Sequence, residues 1–296
     1  MSTLPVTLNV VGCGKLGTTL PRLLRDAGVV QIGGLCSRTR GRAETARAFI
    51  GACIVVDDAT QLPAAGLWLR AVSDDAIADS AHQLAAQRDD WRDVTVFHTS
   101  GLHDAGLLAP LAARGARTAS LHPAHSFADP QQSLLTFAGS CCALEGEPAA
   151  KEQLAALLSA LQVRILNIDA ASKPLYHAAT AMASNYLVSL MASSLALLEQ
   201  AGIEDTDARA LLAPLAGQTA ANVFARGAVA ALTGPIARGD SKTVAHHLAA
   251  IAGAQPDLLE LYRTLGRATL ALADSGQMLT AADAEKIASL LHPSDS

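Results

Sequence analysis

The sequence predicts an α/β protein in which a domain with a parallel sheet, residues 1–168, precedes an all-helical domain, residues 169–296. Two observations predict this division. As far as residue 168, short apolar runs alternate with helical stretches, which is typical of parallel strands joined by crossover helices. From Ala171 onward the apolar residues follow only the helical period. The length of 296 residues suits one large or two medium domains, and half of the residues are hydrophobic, which suffices for a substantial core.

The first predicted strand, residues 7–11, runs directly into a glycine-rich turn. The turn reads Gly12-Cys13-Gly14-Lys15-Leu16-Gly17, which is the pattern G-x-G-x-x-G. In this pattern Gly12 permits a tight turn, Gly14 lets the backbone approach a pyrophosphate, and Gly17 lets the next helix pack close to the sheet. The free amides at the start of that helix attract phosphate. We therefore predict that all the residues of this turn contribute to a dinucleotide site.

The end of the second predicted strand, residues 29–35, indicates which dinucleotide binds. A protein that binds NAD places an acidic residue there for the adenosine ribose, whereas this chain has Ser37 and Arg38. The guanidinium of Arg38 can pair with a 2′-phosphate and stack on adenine, with Ser37 and Arg40 as further donors. This favours NADP over NAD. In the alternative interpretation, Arg38, Arg40 and Arg42 form an ordinary solvated loop face.

The remaining elements of the first half continue the alternation, and we expect seven or eight strands in all. They are a helix at 43–50, strands at 53–56 and 67–72, a helix at 76–87, strands at 94–98, 119–123 and 140–144, a helix at 149–161 and a strand at 163–168. The run Ser73-Asp74-Asp75 is expected to cap the helix at 76–87. Ligands bind at the carboxyl edge of such sheets, so we predict cofactor contacts from Val72, Ser73, Asp74 and Ser100. His122 lies at another strand end on this edge.

Five long helices are predicted in the second half, at 172–201, 206–226, 241–253, 256–274 and 280–291. The first contains residues 174–198, a stretch without Asp, Glu, Lys or Arg that is long enough to span a bilayer. Its many Ser, Thr, Asn and His side chains argue against contact with lipid. We expect this helix to be buried against other helices of the same chain or of a second subunit, and we expect no association with membranes.

A polar stripe marks one face of this helix. At 3.6 residues per turn, Lys173, Tyr176, His177, Thr180 and Ser184 lie within an arc of roughly 100°, with Asn185 at its edge. If the stripe faces the nicotinamide, Lys173 is the first candidate for a general acid or substrate-orienting cation, and His177 is the competing proton donor. Ser184 or Asn185 would orient a carbonyl. In the alternative interpretation, Lys173 caps the start of a helix and His177 is a satisfied core histidine.

Arg238 is the further candidate in the second half, because a fixed guanidinium can hold a substrate carboxylate in bidentate fashion. Its alternative role is a salt bridge to Asp240.

Composition narrows the possible partners and the cellular compartment. A net charge of -5 and a pI near 6.0 argue against nucleic acid as a ligand. The five cysteines include no C-x-x-C pair, and we predict no metal site. The first residues lack the charged start of a signal peptide, so we expect a cytoplasmic protein.

A set of motifs spread over the chain resembles a known family. The motifs are His98-x-Ser100-Gly101, Leu121-His122-Pro123-x-x-Ser126-Phe127, Tyr176-His177-Ala178-Ala179, Ala183-Ser184-Asn185-Tyr186 and Leu232-Thr233-Gly234-Pro235-x-x-Arg238-Gly239-Asp240. Together they resemble the Rossmann-like proteins that carry the domain-of-unknown-function 2520 module, over nearly the whole chain. The first half is similar more broadly to pyrroline-5-carboxylate reductases, F420-dependent NADP oxidoreductases and prephenate dehydrogenases, the last of which also have a His-Pro pair beside the nicotinamide.

The resemblance implies an NADP-binding Rossmann domain and a helical domain, like the C-terminal domain of 6-phosphogluconate dehydrogenase, that forms a homodimer. It implies a reductase without naming its substrate. Some similar proteins are thought to act as ketopantoate reductases, and Lys173 with Asn185 resembles the Lys/Asn pair of relatives that reduce ketoacids.

Our hypothesis from the sequence is an NADPH-dependent oxidoreductase that reduces a small carboxylated ketone or imine, for example a 2-oxoacid similar to ketopantoate. Two alternatives remain open at this point. One is a non-catalytic NADP-binding sensor or scaffold whose helical domain contacts a partner protein. The other keeps the enzyme but makes a deazaflavin the donor that reduces NADP.

Overall fold

The computed structural model describes residues 5–51 and 53–292. The expectation of no signal peptide rests on residues 1–5, of which residues 1–4 lie outside this range. The strands are β1 Val6–Val11, β2 Val30–Cys36, β3 Ile54–Val56, β4 Leu67–Arg70, β5 Thr95–His98, β6 Arg117–Ala124, β7 Cys141–Gly146 and β8 Arg164–Asn167. They form a single eight-stranded sheet in the order β3-β2-β1-β4-β5-β6-β7-β8.

Helices of very different length connect and follow these strands. They are α1 Lys15–Asp26, α2 Arg40–Ile50, α3 Ile77–Ala85, α4 Ala109–Ala112, α5 Pro130–Thr136, α6 Pro148–Ser159, α7 Lys173–Gln200, α8 Asp205–Arg226, α9 Ala228–Ala231, α10 Ser241–Ala254, α11 Leu259–Ser275 and α12 Ala281–Leu291. The predicted fold class is confirmed, since a mostly parallel sheet precedes a helical region.

One strand pair departs from the parallel pattern. All pairs from β3 to β6 are parallel, as is β7 with β8, but β7 runs antiparallel to β6. The intervening helix α5 has seven residues and is therefore about 10 Å long. It contacts α1 and is too short to return the chain to the opposite edge of the sheet, so β7 starts at the edge where β6 ended.

The sheet is covered on both faces by apolar residues. One core contains Leu8, Leu20, Leu35, Leu69 and Leu154. The other contains Trp68 and Trp91, whose rings pack edge to face with centroids 5.5 Å apart. Because both faces of the sheet are packed, the polar groups that follow the carboxyl ends of the strands have fixed positions.

The chain divides into two compact units, Met1–Ser184 and Asn185–Ser296. The division falls inside α7, whereas the domain boundary predicted after residue 168 marks the end of the sheet. The first turns of α7 belong with the sheet because the Lys173 side chain bonds to residues that follow β5 and lie in β6. The second unit has its own small core, formed by Ile236, Val244, Leu248, Ile287 and Leu291.

Helix α7 is unusual among the helices of the described chain. The segment Ala170–Gln200 is the one helical stretch in the described residues that is long and apolar enough, by length and composition alone, to span a bilayer. The sequence predicted that α7 would be buried against other helices. In the single chain it is not, since Lys173 alone of its residues is buried. Val188 is 70% exposed, and on α8 Phe224 is 87% exposed.

Candidate functional site

The glycine-rich turn lies between β1 and α1. Gly12 has a φ of +100°, which favours glycine, and a Cβ there would lie 2.2 Å from the carbonyl oxygen of Ala71. A Cβ at Gly17 would lie 2.0 Å from the carbonyl oxygen of Gly12. At Gly14, by contrast, a Cβ would meet no atom within 4 Å, and no side chain caps the helix that follows. The open space at Gly14 and the free amides of α1 fit a phosphate group.

The other residues of the turn have different environments. Cys13 is buried, its thiol donates to the carbonyl oxygen of Cys36 at 3.7 Å, and burial raises its pKa to about 12. This protonated thiol is therefore a packing group and not a nucleophile. Lys15 is exposed next to Gly14, where its ammonium is available to an anion, and Leu16 packs against the core.

A cavity of about 610 Å³ opens where β1, β2 and β4 end. Its lining includes the predicted cofactor residues Ser37, Arg38 and Val72. Arg38 is exposed and makes no ion pair within the described part of the chain, so its guanidinium is free to bind an anion. Arg40 does not line the cavity, because its guanidinium pairs with Asp57 at 2.9 Å.

The turn after β4 differs from the predicted helix cap. The chain first forms a short 3₁₀ helix, Asp74–Ala76, and α3 begins at Ile77 and ends at Ala85. Ser73 precedes this 3₁₀ helix but makes no capping hydrogen bond with its side chain. The predicted capping of a helix at 76–87 was therefore wrong. Ser73 is exposed and Asp74 is half-buried at the carboxyl edge of the sheet.

Lys173 is fully buried at the start of α7. Its ammonium donates to the carbonyl oxygen of Ser100 at 3.1 Å and to the hydroxyl of Ser120 at 2.8 Å. Burial lowers its pKa, while Glu145, Asp104 and Asp74 act in the opposite direction. The side chain thus fastens α7 to the segments around Ser100 and Ser120.

The segment around Ser100 is fixed by its own hydrogen bonds. The Ser100 hydroxyl accepts from the amides of Leu102 and His103, at 3.2 and 3.0 Å. The Ser100 amide lies 3.2 Å from Nδ1 of His98, whose Nε2 lies 2.9 Å from the carbonyl oxygen of Asp104. Burial lowers the pKa of His98 to about 4, so this ring is neutral at physiological pH. A neutral ring protonated on Nε2 satisfies both contacts.

The rings of His122 and His177 lie against Gly101, and Tyr176 contacts His122. Nδ1 of His122 lies 2.9 Å from the hydroxyl oxygen of Tyr176, and the His122 and His177 rings pack edge to face with centroids 5.9 Å apart. A Cβ at Gly101 would lie 2.5 Å from the His177 ring and 3.0 Å from Nε2 of His122. Burial lowers the pKa of His122 to about 4, with His177 and Lys173 adding to the effect, and burial raises the pKa of Tyr176 to about 12. The Tyr176 and His122 side chains are therefore both uncharged at neutral pH.

Sequence reasoning placed Tyr176 on the polar stripe and His122 at a strand end, but it did not join them. The two residues are 54 positions apart, and only the packing of α7 on the sheet unites them. Arg70, which lines the 610 Å³ cavity, was missed altogether. Its signal was a cation at the end of the otherwise apolar strand β4.

The remaining predicted site residues are exposed. Ser184 and Asn185 lie on the part of α7 whose side chains are exposed in the single chain. Arg238 is exposed in the second unit. Both carboxylate oxygens of Asp240 bind Thr243, at 3.0 and 2.6 Å, so the alternative salt bridge to Arg238 is not formed.

No group of three or more His, Cys, Asp or Glu side chains among the described residues is arranged to hold a metal ion. His247, which the sequence shows beside another histidine, lies with Nδ1 2.8 Å from the hydroxyl of Tyr262.

Two family models match the chain. The model of a Rossmann-like domain matches residues 3–123, and that of the Domain of unknown function (DUF2520) matches residues 140–269. The chain joins a Rossmann-like domain to a DUF2520 domain. The resemblance inferred from the motifs is thereby confirmed. The DUF2520 match includes all of α7 and Arg238. No curated protein matches the chain by sequence.

Solved structures share the fold of these two domains. The "putative NADP oxidoreductase BF3122" from Bacteroides fragilis is 22% identical with a TM-score of 0.76, over 90% of this chain and 98% of its own. A reductive aminase from Aspergillus terreus in complex with NADPH and ethyl levulinate is 18% identical with a TM-score of 0.63, over 97% and 98%. A pyrroline-5-carboxylate reductase from Coxiella burnetii is 13% identical with a TM-score of 0.60, over 93% and 99%. At these identities the likeness shows a shared fold.

Proposed function

We propose that this protein is an NADPH-dependent oxidoreductase that reduces a C=O or C=N bond of a small molecule. One observation carries the proposal: the glycine turn, the cavity beside Arg38 and the rings around Gly101 all follow the carboxyl ends of parallel strands in one sheet. A dinucleotide and its reaction partner bind at this edge in sheets of this kind. The reductive aminase of the same fold, whose structure contains NADPH, supports the choice of cofactor.

The residues present fit NADPH. Gly14 and the free amides of α1 would hold the pyrophosphate, and Ser37 with Arg38 would hold the 2′-phosphate. When bound, NADPH supplies a hydride to the electrophilic carbon of the substrate.

Tyr176 is the group we assign to the oxygen or nitrogen of the bond being reduced. Its hydroxyl stays protonated at neutral pH, because burial raises its pKa to about 12, and it can therefore donate a hydrogen bond and then a proton. His122 holds the hydroxyl through Nδ1 and, in the tautomer protonated there, donates to the phenol oxygen as the proton leaves. His177 lies beside this pair and is the second candidate donor.

Lys173 is assigned a positioning role in this proposal. Its ammonium is enclosed by Ser100 and Ser120, which leaves it no open path to a substrate atom. It orients the first turn of α7 and therefore Tyr176 and His177. This differs from the proton donor expected from the sequence.

Arg238 remains our candidate for binding a substrate carboxylate, because its guanidinium is exposed and Asp240 is occupied by Thr243. Ser184 and Asn185 remain the candidates for orienting the carbonyl. Arg238→Gln should raise KM for a 2-oxoacid about tenfold or more and leave KM for the corresponding methyl ester unchanged. Equal effects on both substrates would contradict the role.

We also propose that the protein is a homodimer assembled through α7 and α8. Both helices expose large apolar side chains, among them Tyr186 and Val188 on α7 and Leu215 and Phe224 on α8. Large apolar side chains left exposed in such number are typical of a protein–protein interface. Light scattering should give a dimer for the wild type and a monomer for Val188→Asp. A monomeric wild type would contradict the proposal.

The matched control for that experiment is Leu135, which is 78% exposed on the short helix α5 of the first unit. Leu135→Asp should leave the dimer intact. Dissociation by both variants would indicate a general loss of folding.

The decisive experiment for the reaction is NADPH oxidation with a panel of 2-oxoacids, including ketopantoate, and cyclic imines. We expect oxidation with at least one member and its loss in Tyr176→Phe. Tight NADPH binding without oxidation of any member would favour the non-catalytic sensor. NADP reduction by a deazaflavin alone would favour the third alternative.

A further inference from the structure

Arg70 is a buried cation that the hydrogen-bonding network of the protein leaves unsatisfied. It is the last residue of β4, it is 2% exposed, and its Nε and Nη1 atoms have no hydrogen-bond partner among the described residues. Side chains alternate along a strand, so Arg70 lies on the same face of the sheet as Trp68 and projects toward α3. A guanidinium in this position requires an acceptor, because an unpaired buried charge is costly.

The two carboxylates that line the same cavity each have another partner. Arg70 lines the 610 Å³ cavity together with Asp57 and Asp58. Asp57 pairs with Arg40 at 2.9 Å, and Asp58 accepts from the amide of Thr60 at 2.8 Å. Burial lowers the pKa of Arg70 to about 10, which still leaves the group charged at neutral pH.

A second buried polar group without a hydrogen-bond partner among the described residues lines the same cavity. The hydroxyl of Ser80, on α3, is buried without a hydrogen-bond partner and also lines the cavity. Ser37 and the exposed Arg38 line the cavity as well. The cavity lining therefore includes a buried guanidinium, a buried hydroxyl and an exposed guanidinium, a set of donors suited to a phosphate dianion.

We propose that Arg70 and Ser80 bind the 2′-phosphate of NADPH from the interior of the cavity while Arg38 binds it from the solvent side. Arg70 is then a specificity-determining residue for NADPH over NADH. This inference rests on the proposed use of NADPH, but it does not depend on the substrate or on catalysis. The Arg70 guanidinium and the Ser80 hydroxyl, whose buried donors lack hydrogen-bond partners among the described residues of the free protein, then donate to the phosphate oxygens.

Calorimetric titration with the fragments 2′,5′-ADP and 5′-AMP, and with NADPH and NADH, tests the proposal. Arg70→Met should weaken binding of 2′,5′-ADP and NADPH about 10- to 100-fold, because these ligands carry the 2′-phosphate and lose a hydrogen bond to a charged group. Binding of 5′-AMP and NADH, which lack this phosphate, should weaken less than about threefold. Equal losses for both members of each pair would overturn the proposal. Unchanged binding of all four would overturn it as well.

Thermal unfolding without ligand separates binding from structure. Because the free protein gains no hydrogen bond from Nε and Nη1, Arg70→Met should unfold at the wild-type temperature or above it. A clearly lower unfolding temperature would show a structural role and overturn the proposal. If Arg70→Met cannot be purified, Arg70→Gln replaces it, because glutamine keeps a polar group without the charge. Arg70→Gln should show the same selective loss of binding. Full retention of the preference for the 2′-phosphate in this variant would contradict the proposal.

The measurements on the wild type separate a failure of this inference from a failure of the proposed function. If the wild type itself prefers neither 2′,5′-ADP to 5′-AMP nor NADPH to NADH, the choice of cofactor is wrong. If the wild type has the preference and Arg38→Met loses it while Arg70→Met keeps it, only the role of Arg70 is wrong.

Discussion

The hydroxyl of Tyr176 and Nδ1 of His122 lie 2.9 Å apart, and burial keeps both groups uncharged at neutral pH. A phenol with a pKa of about 12 holds its proton, and an imidazole with a pKa of about 4 stays neutral. The pair is thus ready to polarise a carbonyl or imine without placing a fixed charge beside it. A histidine cation would instead repel the positive charge of an iminium substrate.

Removing the phenol hydroxyl should affect turnover selectively. In Tyr176→Phe we expect kcat to fall about 100-fold, because a positioned proton donor contributes about that much, while the dissociation constant of NADPH stays within about twofold. Steady-state kinetics and a separate NADPH titration measure the two effects.

The chain contains a matched control for this variant. Tyr262 makes the same contact with a histidine, at 2.8 Å to Nδ1 of His247, within the helices of the second unit. Tyr262→Phe removes an equivalent hydrogen bond between a tyrosine and a histidine and should leave kcat within about twofold. Similar losses of kcat in both variants would contradict the role of Tyr176.

Acid should destabilise the protein through its two neutral, buried histidines. The pKa values of His98 and His122 are about 4 in the folded protein against an ordinary value of 6.5. Between pH 6.5 and 4 the unfolded chain therefore binds protons that the folded chain does not, and the free energy of unfolding falls as the pH falls. The loss is on the order of 2–3 kcal/mol per histidine, since one pKa unit corresponds to about 1.4 kcal/mol.

Urea unfolding at a series of pH values between 7 and 4.5 measures this loss. His98→Gln should reduce the slope of unfolding free energy against pH, whatever its effect on stability at pH 7. His82 is exposed on α3, and His82→Gln should keep the wild-type slope. An unchanged slope in His98→Gln would show that this ring does not carry the effect.

Much of the fold follows from local sequence signals. The long helices after residue 171 were predicted nearly at their observed bounds, because Gly202, Gly227 and Pro256 interrupt clear helical periods. Gly227, for example, ends α8 with a φ of +84°. The reversed direction of β7 was not predicted, because strand composition carries no information about direction. It depends on the short α5, whose length has no strong signal.

The site was less predictable because it depends on distant contacts. The helical period correctly placed Lys173, Tyr176 and His177 on one face, but it did not show that the ammonium of Lys173 would be enclosed by Ser100 and Ser120 while the rings of the other two would both pack against His122. Which member of a polar stripe is buried depends on the shape of the surface beneath it.

A methyl group at Gly101 should disturb the rings directly. In Gly101→Ala the new Cβ would lie 2.5 Å from the His177 ring, closer than atoms can approach, so this ring must move. We expect kcat to fall at least about tenfold, because catalytic groups tolerate little displacement. Gly253→Ala, on α10, adds a methyl group that meets no atom within 4 Å and should leave kcat unchanged while raising stability by up to about 1 kcal/mol.

The glycines of the first turn should separate folding from cofactor binding. Gly12→Ala combines a positive φ with a contact of 2.2 Å to the Ala71 carbonyl oxygen, so it should lower the free energy of unfolding by about 2 kcal/mol or more. Gly14→Ala introduces neither problem, since Gly14 has a φ of −76° and open space around it, and its unfolding temperature should match the wild type. Its methyl group would occupy the space assigned to the pyrophosphate, so NADPH and NADH should both bind at least about tenfold more weakly. Normal binding by a stable Gly14→Ala would place the pyrophosphate elsewhere, whereas equal destabilisation of both variants would mean that Gly14 is needed for the turn itself.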